Sequence, residues 1–181
     1  MGNILGLHDL YGYIWIIPLI FSIHELEEWN ILKWYKKHYK NMPESTNTSI
    51  RIHIIVFSMA SFLLTYLAYM ARETFIFSII IVFLSSFLFF NFLQHVIWTV
   101  QLKSYSHGLI TASLSVIAVV FVNMVLIQNK LISIPFYAIG LLYIPPIVRT
   151  VKIKGEMTKE ILNVHRFFIK TEKMLKGFSA R

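Results

Sequence analysis

The sequence contains no cysteine, which excludes disulfides, thiolate catalysis and Cys-based zinc or iron–sulfur sites. Any metal would have to be held by His, Asp or Glu. Charge is scarce as well: 14% of the 181 residues are charged, and nine are acidic. Soluble domains carry about 25% charged residues, so a water-soluble globule of this composition could not cover its own surface. Disorder is excluded by the opposite test. Unfolded chains are rich in charge and poor in apolar residues, and here 56% are hydrophobic. The first 32 residues hold no Lys or Arg, so there is no basic n-region of a cleavable signal, and no small-residue cleavage site follows the first apolar run. Met1-Gly2-Asn3 opens like a myristoylation signal, but Gly6 stands where Ser or Thr is needed. No internal repeat is visible.

Long apolar runs are what the chain has, with a mean hydropathy of +0.63. A bilayer core of about 30 Å needs roughly 20 apolar residues in helical form. Ile52–Ala71, Phe75–Val100, Gly108–Gln128 and Leu131–Val148 meet or approach this length. Leu10–Ile23 is shorter and crosses only if the following His-Glu-Leu-Glu-Glu-Trp belongs to the same helix. The reading is an all-α, polytopic transmembrane bundle of five spans over residues 1–148, followed by a basic tail over 149–181. Its place is the cell membrane, as a multi-pass protein. Pro145-Pro146 is read as ending the fifth span, and His8-Asp9 as the start of the first.

The placement of the positive charge tests this topology. With five spans, 15 of the 17 Lys and Arg fall on one side, leaving Arg72 and Lys130 on the other. The positive-inside rule then sets the N-terminus outside and the C-terminus in the cytoplasm. A four-span chain with its first segment on the surface keeps the same bias in the remaining loops. In the tail, Met157, Ile161, Val164, Phe168 and Leu175 recur at helical spacing among Lys and Arg. This predicts an amphipathic helix on anionic lipids of the inner leaflet; a solvated basic tail is the plainer alternative. Nucleic acid is not an expected partner, because topology accounts for the basic excess. Nothing in the sequence sets the oligomeric state.

Three of the nine acidic residues lie within His24-Glu25-Leu26-Glu27-Glu28-Trp29. At 100° per residue, Glu28 stands about 40° from His24 and Glu27 about 60° on its other side, while Glu25 points elsewhere. Carboxylates near hydrocarbon cost roughly 2.5–3.5 kcal/mol on insertion scales. None of these has a Lys or Arg at i+4, so compensation must come from another helix or a bound ion. At similar depth, five-span topology places His53, the Asn91/Gln94/His95 group and His107. A His–Glu pair on one helix with His from others is how bundles build metal sites. Candidate ligands are therefore His24, Glu27, Glu28 and His95, for zinc or for iron or manganese. Asn91 or Gln94 would orient a ligand, and His53 and His107 are further candidates. The plainer alternative places these glutamates at a hydrated interface, neutralised by Lys33, Lys36 and Lys37.

Together these residues resemble the HXXEE-motif family of small integral membrane proteins. His24, Glu27 and Glu28 match the motif that names it, and Asn91-Phe92-Leu93-Gln94-His95 is similar to its second signature. Tyr105-Ser106-His107-Gly108 is similar to a third, a Tyr-x-Pro-Gly turn, with His107 in place of proline. The resemblance brings Tyr105 into the candidate site, supports a site of this kind and is silent on the reaction. Three readings follow. In the first the protein is a metal-dependent, hydrolase-like membrane enzyme acting on a lipid or amphipathic substrate at the cytoplasmic leaflet, with Glu27 and Glu28 as catalytic residues. The second is a non-catalytic accessory or immunity-type subunit, and the third an ion or proton transporter.

Overall fold

The computed structural model describes residues 10–179, so His8-Asp9 and the Met1-Gly2-Asn3 start lie outside the described residues. Those described residues form helices and no strand. Helix α1 spans Ile16–Glu27 and is led in by a 3₁₀ turn, Gly12–Trp15; the short α2 spans Leu32–His38. Three long helices follow: α3 (Asn47–Met70), α4 (Phe75–Leu102) and α5 (Leu109–Gln128). A 3₁₀ stretch, Ile134–Tyr143, runs into α6 (Ile144–Lys152), and α7 spans Lys159–Ser179.

Among the described residues, four segments are long and apolar enough to cross a membrane: α3, α4, α5 and the continuous Ile134–Lys152. Their outer faces carry exposed Met59, Leu63, Ile117 and Met124, a surface that water would not tolerate but hydrocarbon solvates. The inner faces meet in a core of Ile14, Ile17 and Phe21 from the first segment, Phe77, Ile81 and Leu88 from α4, and Val122 and Leu126 from α5. Within it, Asn123 donates to Ser85 Oγ at 2.8 Å and accepts from the Tyr137 hydroxyl, which satisfies a buried amide.

Helix starts lie where local chemistry sets them. α3 begins five residues before the apolar run does, because Thr46 and Ser49 form a reciprocal capping box, each side-chain oxygen bonding the other's backbone N–H at 3.0 Å. Pro145 and Pro146 open α6 instead of ending a helix, since proline lacks the N–H that the first helical turn leaves unpaired. The 3₁₀ stretch before them rises about 2.0 Å per residue. The two parts together therefore reach about 33 Å, against about 28 Å for a uniform α-helix of the same length.

The basic segment after α1 is more than a loop. Leu32, Trp34 and Tyr35 of α2 are buried with Tyr39, Trp98, Ile50 and Met157 in a second apolar cluster. The tail docks on this cluster, so the apolar side assigned above to the bilayer faces protein. Met157 and Phe168 are buried, the Phe168 ring stacks on His53 at 4.9 Å, and only Leu175 of that stripe stays exposed. Asn41 clamps the tail by bonding both the N–H and the C=O of Met157, at 2.7 and 3.0 Å. Glu172 accepts from Thr46 and pairs with Lys176 at 2.6 Å.

His165 makes this docking sensitive to pH. Its ring bonds Ser45 Oγ at 3.0 Å and lies edge-on to Tyr35 at 5.5 Å. Burial, reinforced by His53 on α3 and opposed by Glu28, lowers its pKa from 6.5 to about 4. A histidine held neutral in the docked state stabilises docking fully above about pH 6.5, and that contribution is lost as pH falls toward 4. Hydrogen-exchange protection of residues 159–177, corrected for intrinsic rates, should drop at least tenfold between pH 7.5 and 5. Equal protection at the two pH values would contradict the neutral, buried imidazole.

Candidate functional site

The helix of the first segment continues through His24 and Glu27, and Glu28 caps it. This brings the His-Glu segment against the C-terminal half of α4 and the start of α5. His24 and His95 are each 1% exposed, and Glu28 points its carboxylate at both rings. Glu28 Oε1 lies 3.0 Å from His95 Nε2 and 3.8 Å from His24 Nε2. The ligand atoms of His24, Glu28 and His95 all fall within 4.8 Å of one another.

The protonation of His24 follows from its partners. Its Nδ1 lies 3.1 Å from the Gly108 carbonyl, which can only accept, so Nδ1 carries the hydrogen. Its Nε2 takes a bond from the Asn91 amide nitrogen at 2.7 Å, so the Nε2 lone pair is turned to Asn91, which an ion bound there would displace. His95 is held from behind by Ser106, whose Oγ lies 2.9 Å from Nδ1. His95 Nε2 is buried and faces Glu28 without the alignment of a hydrogen bond. Two imidazoles oriented through Nδ1, with Nε2 turned toward a carboxylate, is the arrangement of metal-ligating histidines.

The group fits a divalent cation on three counts. Ligand atoms of a tetrahedral ion with bonds of about 2.0–2.1 Å stand about 3.3 Å apart, and 3.0 and 3.8 Å bracket that value. His95 Nε2 is a buried nitrogen with no hydrogen-bond partner. Two histidines and one carboxylate, with room for a further ligand, are also the donor set of catalytic zinc and of non-haem iron sites. Gly108 makes the convergence possible: at φ +97°, a Cβ there would lie 2.7 Å from His24 Cε1 and 2.8 Å from both Glu28 Oε1 and His95 Cε1.

Other candidates are placed differently. Glu27 stands apart from the group because both its oxygens are engaged elsewhere. Thr111 donates to Oε2 from its backbone N–H at 3.0 Å and its hydroxyl at 2.6 Å, and the Tyr105 hydroxyl donates to Oε1. Thr111 Oγ1 also lies 3.2 Å from His24 Nδ1, so Glu27 acts on His24 through Thr111. Tyr105 keeps its proton, because partial burial and the Glu27 carboxylate raise it to about 12. His107 packs its ring 6.0 Å from Tyr105, away from the group, with a buried, unpartnered Nδ1. Gln94 and His53 do not join the three ligands; both line the adjoining cavity.

That cavity, about 290 Å³, is bounded by His24, Glu28, His95 and Glu25 on one side and by Ile161 and His165 of α7 on the other. Glu25 is the residue that the helical-wheel argument set aside. It is 6% exposed, its Oε2 has no partner, and it faces this space. The wheel predicts direction relative to His24, but the cavity wraps around the end of α1 once α2 and α7 are docked. Ser106, Gly108 and Thr111 gave no sequence signal of their roles beyond the turn motif and the spacing that contain them.

A sequence profile described as a protein of unknown function with HXXEE motif matches residues 15–124. Searches among curated proteins and among solved structures return no match. The profile covers more than half the chain, including the His24-x-x-Glu27-Glu28 segment, Asn91–His95 and Gly108, and the chain therefore belongs to the HXXEE family of proteins of unknown function.

Proposed function

We propose that the protein is a five-span membrane enzyme of the cell membrane, N-terminus out and C-terminus in, that uses a divalent metal to hydrolyse a lipid or other amphipathic substrate at the cytoplasmic leaflet. The carrying observation is the convergence of His24, Glu28 and His95 on one point beside a cavity of about 290 Å³. The first span is supported by α1: with its 3₁₀ lead-in it continues helically from residue 10 to Glu27, about 29 Å in all. The charge bias supports the orientation. Outside its docked face, α7 presents Phe167 and Met174 beside exposed Lys170 and Lys173, a surface suited to anionic lipid.

A cation at this site supplies a Lewis acid that acidifies water and polarises a carbonyl or phosphoryl oxygen. The chain supplies the rest. His24, Glu28 and His95 hold the ion, and Glu27 positions His24 through Thr111. Glu25 Oε2, unpartnered at the cavity wall, accepts the proton released as water attacks. Asn91 and Gln94 orient the polar group of the substrate, and α7 excludes bulk water.

Protein purified without chelator should carry about one zinc, iron or manganese per chain by elemental analysis. Metal-free protein that also fails to bind added zinc would leave the cluster as a polar lock between helices, as in the accessory-subunit reading.

A further inference from the structure

A second cavity, of about 160 Å³, lies between α1, α3 and α4. Its walls include Ile17, Phe21, Ser61, Leu64 and Leu84, and it shares Phe57 and Phe87 with the cavity at the His–Glu group. Ser61 is the one polar side chain in its lining, and its hydroxyl already donates to the Ser58 carbonyl at 2.7 Å. The space therefore offers no free polar group, and apolar cavities of this kind stay dry and take hydrocarbon. A polar chamber that shares two phenylalanine walls with a bare apolar one matches a ligand that is polar at one end only.

We propose that the site takes a single-chain amphiphile of medium length, its polar head at His24, Glu28 and His95 and its hydrocarbon chain past Phe57 and Phe87 into the second cavity. This deepens the enzymatic reading above and rests on it for the placement of the head. The volume sets the chain number. A cavity of about 150 Å³ accommodates one six-carbon ring, which matches one chain rather than two. The length follows from α1: Ile17 is seven residues before His24, about 10 Å along the helix, or roughly eight extended carbons. Each buried methylene contributes about 0.8 kcal/mol, so affinity should rise with chain length until the cavity is full and then fall as further carbons find no room.

A third cavity, of about 360 Å³, shares Phe90 with the polar chamber. Its lining includes Ser85, Ser86, Asn123 and Tyr137, against Ser61 alone in the second cavity. It serves as the competing location in the test.

The test measures displacement of a dansyl-labelled medium-chain fatty acid from the full chain in lipid nanodiscs by hexanoic, octanoic, dodecanoic and hexadecanoic acids, with metal content read on the same samples. Octanoic acid should displace the probe at least tenfold better than hexadecanoic acid. Ser61→Phe fills the cavity and should weaken octanoic acid at least tenfold. Leu84→Ala enlarges it and should move the optimum to dodecanoic acid, a gain that misfolding cannot produce. Gly140→Leu, in the third cavity, should change neither. Chain preference that ignores both Ser61→Phe and Leu84→Ala while metal content stays at the wild-type level overturns the proposal, as does a preference that moves with Gly140→Leu alone. If wild-type protein holds no metal yet the optimum shifts as described, the chain site stands and only the metal reading fails.

Discussion

Gly108→Ala is expected to abolish metal retention and to lower the unfolding temperature by several degrees, although it adds a single methyl group. Two effects combine. The backbone at φ +97° is accessible to glycine but strained for any residue with a Cβ, at a cost of about 1–3 kcal/mol. The added carbon would also sit 2.7–2.8 Å from atoms of His24, Glu28 and His95 together. Real Cβ contacts do not come that close, so the three side chains must spread or α5 must withdraw from α1 and α4. In either case the ligand atoms leave the separations that suit one ion. Gly12→Ala is the matched control, because nothing lies within 4 Å of a Cβ there. The comparison is elemental analysis and thermal unfolding of the two variants in one detergent. Equal metal content in Gly108→Ala and Gly12→Ala would show that Gly108 does not frame the site.

The two adjacent glutamates of the motif should separate in their effects. Glu28→Gln removes the carboxylate that faces both histidines, and metal should be lost below detection. Glu27→Gln leaves all three ligand atoms in place. It weakens only the chain from Glu27 Oε2 through Thr111 Oγ1 to His24 Nδ1. Partners that orient a ligating histidine contribute about 10–100-fold to metal affinity, so Glu27→Gln should raise the dissociation constant by that factor, and Thr111→Val should do the same. Zinc titration against a chelator of known affinity reads all three. Complete loss in Glu27→Gln with an intact Thr111→Val would return Glu27 to the ligand set and contradict the geometry.

The separation of Glu27 from Glu28 was not legible in the sequence. On a helical wheel both fall within about 60° of His24, and both look able to reach a common ion. The wheel places residues around one axis but does not say what each side meets. Glu27 meets Thr111 and the Tyr105 hydroxyl, and Glu28 meets His95 across from α4. Glu25 makes the same point from the other direction: it points away from His24 on the wheel, yet lines the cavity once α2 and α7 close around the end of α1. The histidine pair was more legible. His24 and His95 lie near the C-terminal ends of the first and third apolar segments, and the alternation of a five-span reading runs these two in parallel and so puts both residues at one depth.

By itself the sequence determined the all-helical class, four of the segments able to cross a membrane, the absence of thiolate ligands and the family. These depend on composition, on apolar run length and on short motifs, all local along the chain. Only the tertiary structure decided which glutamate faces the histidines, that Gly108 is the close point between three helices, and that the tail's apolar side covers protein. The physical reason is common to all three. Each depends on what lies opposite a residue across a helix interface, and the scarce charges of this chain acquire their roles there, from partners distant in sequence.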